Sequence, residues 1–281
     1  PPWWAAATSK SLMTQLAENE DVTVEDERPQ LPPAPLSYRL LRGAGWTLIW
    51  LGGLTLGFVA HQLWITTWFA KANQAELAAE LEEHFAAAQI EEVPYVPVVP
   101  LGSPPPQPAE PAPVNPGEPA APGLQLLQRE VPPDTGTAFA EIRIPALESL
   151  VDGWTVVEGV SLANLKNGAG HMPWTPLPGQ PGNAVISGHR TTYGQPFHDL
   201  DELAAGDLIE VETALGVHVY AVRELQVVKP TDVWVTHPRA GAWLTLTTCN
   251  PKFSARERLV VSAELISGPN AEVILAGARG E

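Results

Sequence analysis

From Gly43 to Ala70 the chain carries no Asp, Glu, Lys or Arg, and this run of about 28 residues constrains everything around it. A helix of roughly 20 apolar residues is enough to cross a bilayer. The tryptophans fit that reading. Trp46 and Trp50 stand at one end of the run, Trp64 and Trp68 at the other, and each pair is four residues apart, hence on one helix face. At about 1.5 Å per residue, Trp46 and Trp68 lie roughly 33 Å apart, the separation of two interfacial aromatic belts. Gly52, Gly53 and Gly57 would weaken a helix in water but are tolerated in lipid. The run is too long and starts too deep in the chain for a cleaved signal peptide. Arg39 and Arg42 precede it, whereas Lys71 and then Glu76, Glu80, Glu82 and Glu83 follow it. By the positive-inside rule the N-terminus is cytoplasmic and the chain beyond about residue 70 is outside. The expectation is a single-pass transmembrane helix over 43–70.

The flanks sort by composition. Residues 1–42 are rich in acids and then prolines, a composition that buries too little surface to offset ordering entropy and reads as a disordered cytoplasmic tail. In 71–93, Leu77, Leu81 and Phe85 recur at spacing four, which predicts a short extracytoplasmic helix. Residues 94–134 hold twelve prolines between Pro94 and Pro122. The proline-rich stretch 94–123 favours the polyproline conformation and reads as a semi-rigid stalk, up to roughly 90 Å long at about 3.1 Å per residue. The segment 135–268 is the globular part, and 269–281 a C-terminal tail. Strands are predicted at 139–144, 153–157, 183–187, 207–211, 217–222, 225–229, 243–248 and 259–265, each short, β-branched and bounded by turn residues. A short helix is predicted at 161–167 with Ser161 as its N-cap. Many short strands and few helices point to a mostly β, closed or nearly closed barrel.

The net charge of −16 with no basic stripe argues against nucleic acid as a partner. A single cysteine, Cys249, excludes an intrachain disulfide and a Cys-based zinc cluster. Asp199, Asp201 and Glu202 lack calcium-loop spacing, so no metal or other cofactor is expected.

Cys249 ends an alternating run, Trp243-Leu-Thr-Leu-Thr-Thr-Cys, in which Leu244 and Leu246 take one face and Thr245, Thr247 and Cys249 the other. Asn250-Pro251 closes the strand. If Arg258-Leu-Val-Val pairs back antiparallel, Arg258 becomes the neighbour of Cys249. A free thiol is mostly protonated at neutral pH and needs help to attack. Arginine cannot act as a base but can stabilise an oxyanion, so proton transfer falls to a histidine. His189, following the buried-looking strand Ala184-Val-Ile-Ser-Gly188, is the candidate.

These segments carry a resemblance. Thr247-Thr-Cys-Asn-Pro-Lys-Phe-Ser-Ala-Arg-Glu-Arg-Leu-Val-Val261 resembles the signature of the sortase family, and Asn183-Ala-Val-Ile-Ser-Gly-His-Arg-Thr-Thr-Tyr-Gly194 its histidine segment. The likeness covers about residues 138–266. The Thr191-Thr-Tyr-Gly194 stretch favours class E, with class D next. The resemblance implies a sortase-type eight-stranded β-barrel and a membrane-bound cysteine transpeptidase of Gram-positive, actinobacterial type. Such an enzyme cleaves a Leu-Pro-x-Thr-Gly or Leu-Ala-x-Thr-Gly sorting signal on surface proteins between Thr and Gly. It passes the acyl group to an amine of a peptidoglycan precursor or a pilin. Carried over residue by residue, Cys249 is the nucleophile, His189 the acid/base and Arg258 the oxyanion or substrate arginine, with Arg256 its competitor. Thr248 and Tyr193 would contact substrate. The alternatives are an inactive sortase-like scaffold and an L,D-transpeptidase. The latter's nucleophile follows Ser-His-Gly, whereas Cys249 follows Thr-Thr. Ser187 lacks the Gly-x-Ser-x-Gly elbow of a serine hydrolase.

Overall fold

The computed structural model describes residues 35–98 and 125–279. The expected acidic tail through residue 34, the Trp64 side chain and the proline-rich stretch 99–124 lie outside the described residues. The molecule divides into two units at Leu54–Thr55. That point falls inside helix α1, Leu36–Ala60, which is long and apolar enough to cross a membrane. None of its side chains is buried, and Trp50 is 74 % exposed, which a core helix of a water-soluble domain would not show. A π-helical turn, His61–Ile65, leads without a break into α2, Thr66–Ala87.

Within the second unit, α2 lies against the globular part. Leu77 and Leu81 are buried against Ala138 and Val157, with Phe85 packed beside them. The spacing of four that predicted the helix is thus the stripe that docks it. Polar contacts fix its position: Gln74 accepts from the Thr155 amide at 2.9 Å and donates to the Asn167 carbonyl at 3.0 Å, and His84 meets the buried Glu130 at 2.7 Å. Strands β1, Ile90–Pro94, and β2, Leu126–Glu130, pair antiparallel, with Ile90 opposite Glu130 and Pro94 opposite Leu126. The proline-rich segment is therefore entered and left at paired positions. Residues 126–130, expected within the linker, thus form a strand, and α2 contacts the barrel directly.

The remaining strands are β3 Ala138–Arg143, β4 Trp154–Glu158, β5 Ala169–His171, β6 Gly182–Ser187, β7 Leu208–Thr213, β8 Gly216–Val228, β9 Ala242–Asn250 and β10 Glu257–Ser267. They close into an eight-stranded barrel in the order β10-β8-β7-β3-β4-β5-β6-β9. Its interior is filled by side chains such as Phe139, Ile142, Val156, Ile186, Tyr220, Leu244, Leu246 and Val261. Helix α3, Leu162–Asn167, begins as expected with the Ser161 hydroxyl accepting from the Asn164 amide at 3.1 Å. A last helix, α4, Ala271–Arg279, occupies the expected tail, with Ile274 in the core.

Strands β1 and β2 were not predicted, and the expected number of barrel strands is right through two offsetting differences. Predicted strands 217–222 and 225–229 are one strand, β8, and the polar Arg223-Glu224 between them is a bulge: Ser262 faces Glu224 and Ala263 faces Val222, which leaves Arg223 unpaired. Strand β5 was not predicted, because its Ala-Gly-His sequence has no β-branched signal. It runs parallel to β4, and the buried His171 joins Glu158 across the pair at 2.7 Å. Only glycine fits at its middle position, where a Cβ on Gly170 would sit 2.4 Å from the Gly159 carbonyl oxygen.

Candidate active site

The three candidate residues meet because of strand direction. Strands β6 and β9 are parallel, with Ser187 beside Thr247 and the Gly188 amide donating to the Thr247 carbonyl at 3.1 Å. His189 and Cys249 are each two residues further on, so they emerge at the same end of neighbouring strands. On the other side of β9, antiparallel β10 puts Arg258 directly opposite Cys249. Cys249 thus has the segment past the end of β6, which carries His189, on one side and Arg258 of β10 on the other, the latter as the predicted pairing requires.

The polar face of β9 grades from sealed to accessible. Thr245 is fully buried and donates to Asn183 Oδ1 at 2.7 Å; Thr247 shares a 2.8 Å hydrogen bond with Ser187; Cys249 is partly exposed. Opposite it, Leu244 and Leu246 face the core, as the alternation predicted. The thiol opens into a cavity of about 340 Å³ whose walls are mostly apolar, among them Val160, Leu165, Met172, Pro230 and Val233. His189, Cys249, Arg258 and Thr248 line the same space. Arg256 is not among its walls, and the Arg258 guanidinium is held by the carbonyls of Ala255 and Glu257, at 3.1 and 2.9 Å.

Burial pushes the His189 imidazole below the usual histidine range, so it stands neutral at physiological pH and is able to accept a proton. The Tyr193 ring lies 5.0 Å from it, with Tyr193 held in the left-handed region at φ 51°. Tyr193 packs on the histidine rather than lining the cavity. Thr248 is 3 % exposed and donates to the Gly188 carbonyl at 2.8 Å, which ties the strand end bearing the cysteine to the residue before the histidine.

Arg190, which sequence reasoning passed over, is a further organiser. Its side chain is 3 % exposed and paired with Asp201 at 2.8 Å. It donates to Asn250 Oδ1 at 2.7 Å and to the Cys249 carbonyl at 3.3 Å, and Asn250 in turn donates to Glu257 at 2.9 Å. Burial pushes the Asp201 carboxyl up, but its own backbone hydrogen bond and the Arg190 guanidinium prevail and hold it below the usual range. One arginine, next to the histidine in sequence, thus grips the backbone of the cysteine. Its position after Gly-His was the available signal, but burial of a charge is not written in local sequence.

A thiol, a neutral imidazole and a guanidinium on adjacent strand ends can form an acyl-thioester, shuttle a proton and hold a carbonyl oxygen. No group of three or more His, Cys, Asp or Glu among the described residues could hold a metal ion.

Residues 142–266 match a family model described as the Sortase domain. Over 241 residues the chain is 28 % identical to sortase SrtE1 of Streptomyces coelicolor, covering 80 % of this chain and 57 % of that one. It is 30 % identical over 151 residues to sortase SrtE2 of the same organism, covering 47 % and 58 %. The chain thus spans less than two thirds of the length of these relatives. Among solved structures, it is similar to sortase E from Streptomyces avermitilis, at 37 % identity, covering 48 % of this chain and 91 % of that one with a TM-score of 0.44.

Proposed function

The chain belongs to the sortase family, and on that premise we propose that it is a membrane-anchored class E cysteine transpeptidase acting on a Leu-Ala-x-Thr-Gly or Leu-Pro-x-Thr-Gly sorting signal. The observation that carries the reading is the placement of Cys249 between His189 and Arg258 at the mouth of an apolar cavity. Such a cavity suits the Leu and the Ala or Pro side chains of the signal. Cys249 Sγ attacks the carbonyl carbon of the signal's Thr, and His189 takes the thiol proton. Arg258 steadies the oxygen as its negative charge develops. The Thr–Gly C–N bond then breaks, and His189 returns the proton to the departing glycine amine. A second amine attacks the thioester, His189 removes its proton, the C–S bond breaks, and the thiol is restored. The acceptor is an amine of a peptidoglycan precursor or a pilin. α1 anchors the chain, with its N-terminus cytoplasmic and the barrel outside; Arg39 and Arg42 in the first turns of the helix support that orientation.

The test is a transpeptidation assay with both peptides and an amine acceptor, with Cys249→Ala as control. We expect an amine-dependent product that is lost in the variant, and preference for Leu-Ala-x-Thr-Gly. A folded protein with an alkylation-resistant Cys249 that cleaves neither peptide would move the reading to a scaffold.

A further inference from the structure

Cys249 and His189 stand at the rim of two cavities, not one. The second, of about 450 Å³, shares only these two residues with the first. Phe58 and Val59 of the last turn of α1, Gln62 of the π-helical turn, Thr192 beyond the histidine, and Phe253 and Ser254 beyond the cysteine line it. We propose that this second cavity is the amine site of the transfer: it holds the segment that leaves when the thioester forms, and then the primary amine that replaces it. The chain's own anchor helix is thereby one wall of its acceptor site. This rests on the transpeptidase reading above.

Three observations lead there. In ping-pong transfer the acyl half stays bound in the first cavity while the amines exchange, so the acceptor needs another approach to the thioester. By microscopic reversibility the leaving and entering amines share one path. The second cavity is the space that reaches both the sulfur to be attacked and the imidazole that must take the amine's proton.

The lining also suits a neutral amine. It contains no carboxylate and no lysine, and its one guanidinium, Arg190, is turned to Asn250 and Asp201. Phe58, Val59 and Phe253 give the cavity an apolar rim, and no acid in the lining holds an ammonium. Gln62, Thr192 and Ser254 supply hydrogen-bonding groups for the amides of a short peptide.

Phe253 is the third observation. It is 74 % exposed and held at φ 66°, a left-handed conformation that a bulky side chain seldom adopts. An aromatic residue kept in that conformation at the surface, four residues from the thiol, gains little within the chain itself. A ligand contact gives it a role. Tyr193 and Gln195, the other non-glycine residues with positive φ among the described residues, lie in the loop after His189.

The experiment uses the full chain in lipid nanodiscs, a sorting-signal peptide ending in glycinamide, and triglycine as the probe amine. The readout is the partition of the acyl-enzyme between hydrolysis and aminolysis as triglycine is raised. This ratio does not depend on how fast the thioester forms. For Phe253→Ala, and for Gln62→Trp, which fills the cavity, the triglycine concentration that diverts half of the thioester is expected to rise at least fivefold. A half-diversion concentration within twofold of wild type in both variants overturns the inference and leaves the transpeptidase reading standing. A wild-type chain that forms no thioester at Cys249 removes both.

Discussion

Replacing Arg190 with lysine tests whether the residue beside the histidine sets the position of the cysteine. Four polar contacts leave its guanidinium: Nε to the His198 carbonyl, one terminal nitrogen to the Cys249 carbonyl and Asn250 Oδ1, and the other to Asp201. Lysine keeps the charge but is a single nitrogen that cannot span a planar fork. It can keep the Asp201 pair and one of the other three contacts, and so loses about two hydrogen bonds. At roughly 1 kcal/mol each, the cost is about 2 kcal/mol, or a fall in Tm of about 4–8 °C. Asp201 is 44 % exposed and can turn to water, so the cost stays below that of breaking a fully buried pair. The effect on catalysis should be larger than the effect on folding. The Cys249 carbonyl and Asn250 lose their tether, and a displacement near 1 Å can cost about 100-fold in rate. Measured well below the variant's Tm with a fluorogenic signal peptide, kcat should fall about 10- to 100-fold. KM should stay within threefold, because Arg190 does not line the first cavity. A Tm that falls as expected with kcat within twofold of wild type would refute the argument and reduce Arg190 to packing.

The pH profile of kcat/KM should show an acidic limb with its midpoint below 6.5, since burial lowers His189 and its neutral form is the one that accepts a proton; a midpoint above 7 would argue for a resting imidazolium–thiolate pair instead. His218, fully buried and pushed down to about 4 by desolvation, should make stability depend on pH. Between about 6.5 and that value the unfolded chain holds a proton the folded chain lacks, so about 3 kcal/mol present above 6.5 is lost as pH falls through the window. His218→Leu should flatten that slope by one proton in denaturant titrations at pH 7 and pH 4.5, and an unchanged slope would show that the acid sensitivity lies elsewhere. Gly188→Ala should destabilise by about 1–3 kcal/mol, because its Cβ would sit 2.7 Å from the buried Phe197 ring. It should also slow thioester formation through displacement of His189, and full activity would mean that the ring moves aside freely.

Local pattern carried most of the barrel's strands and its closed class, but not the pairings that order them. The alternation in β9, the Ser161 cap and the Leu77–Leu81 stripe are short-range signals, and each is found where the periodicity put it. What failed was set by partners distant in sequence. Arg223-Glu224 has the composition of a turn, yet β10 pairs on both sides of it and converts it to a bulge. The Ala169–His171 strand exists because Val156–Glu158 lies alongside and Glu158 takes the His171 ring. Residues 126–130 sit in a stretch read as linker; their pairing with Ile90–Pro94 is a contact across more than thirty residues that no local window contains.

The site divides in the same way. His189, Cys249 and Arg258 were legible because each ends or opens a strand, and the ends of neighbouring strands must meet. With β6 and β9 parallel, their C-terminal ends emerge together, and antiparallel β10 starts where β9 finishes. Register is then decisive. A slip of one residue in β9 would turn Cys249 toward the core, and Leu244 and Leu246, both fully buried, hold against that slip. The hydrophobic alternation that builds the barrel thus also aims the nucleophile. Arg190 and the second cavity stood outside this logic: one depends on a charge being buried, the other on a helix some 130 residues earlier reaching the loop after His189, and neither leaves a periodicity to read.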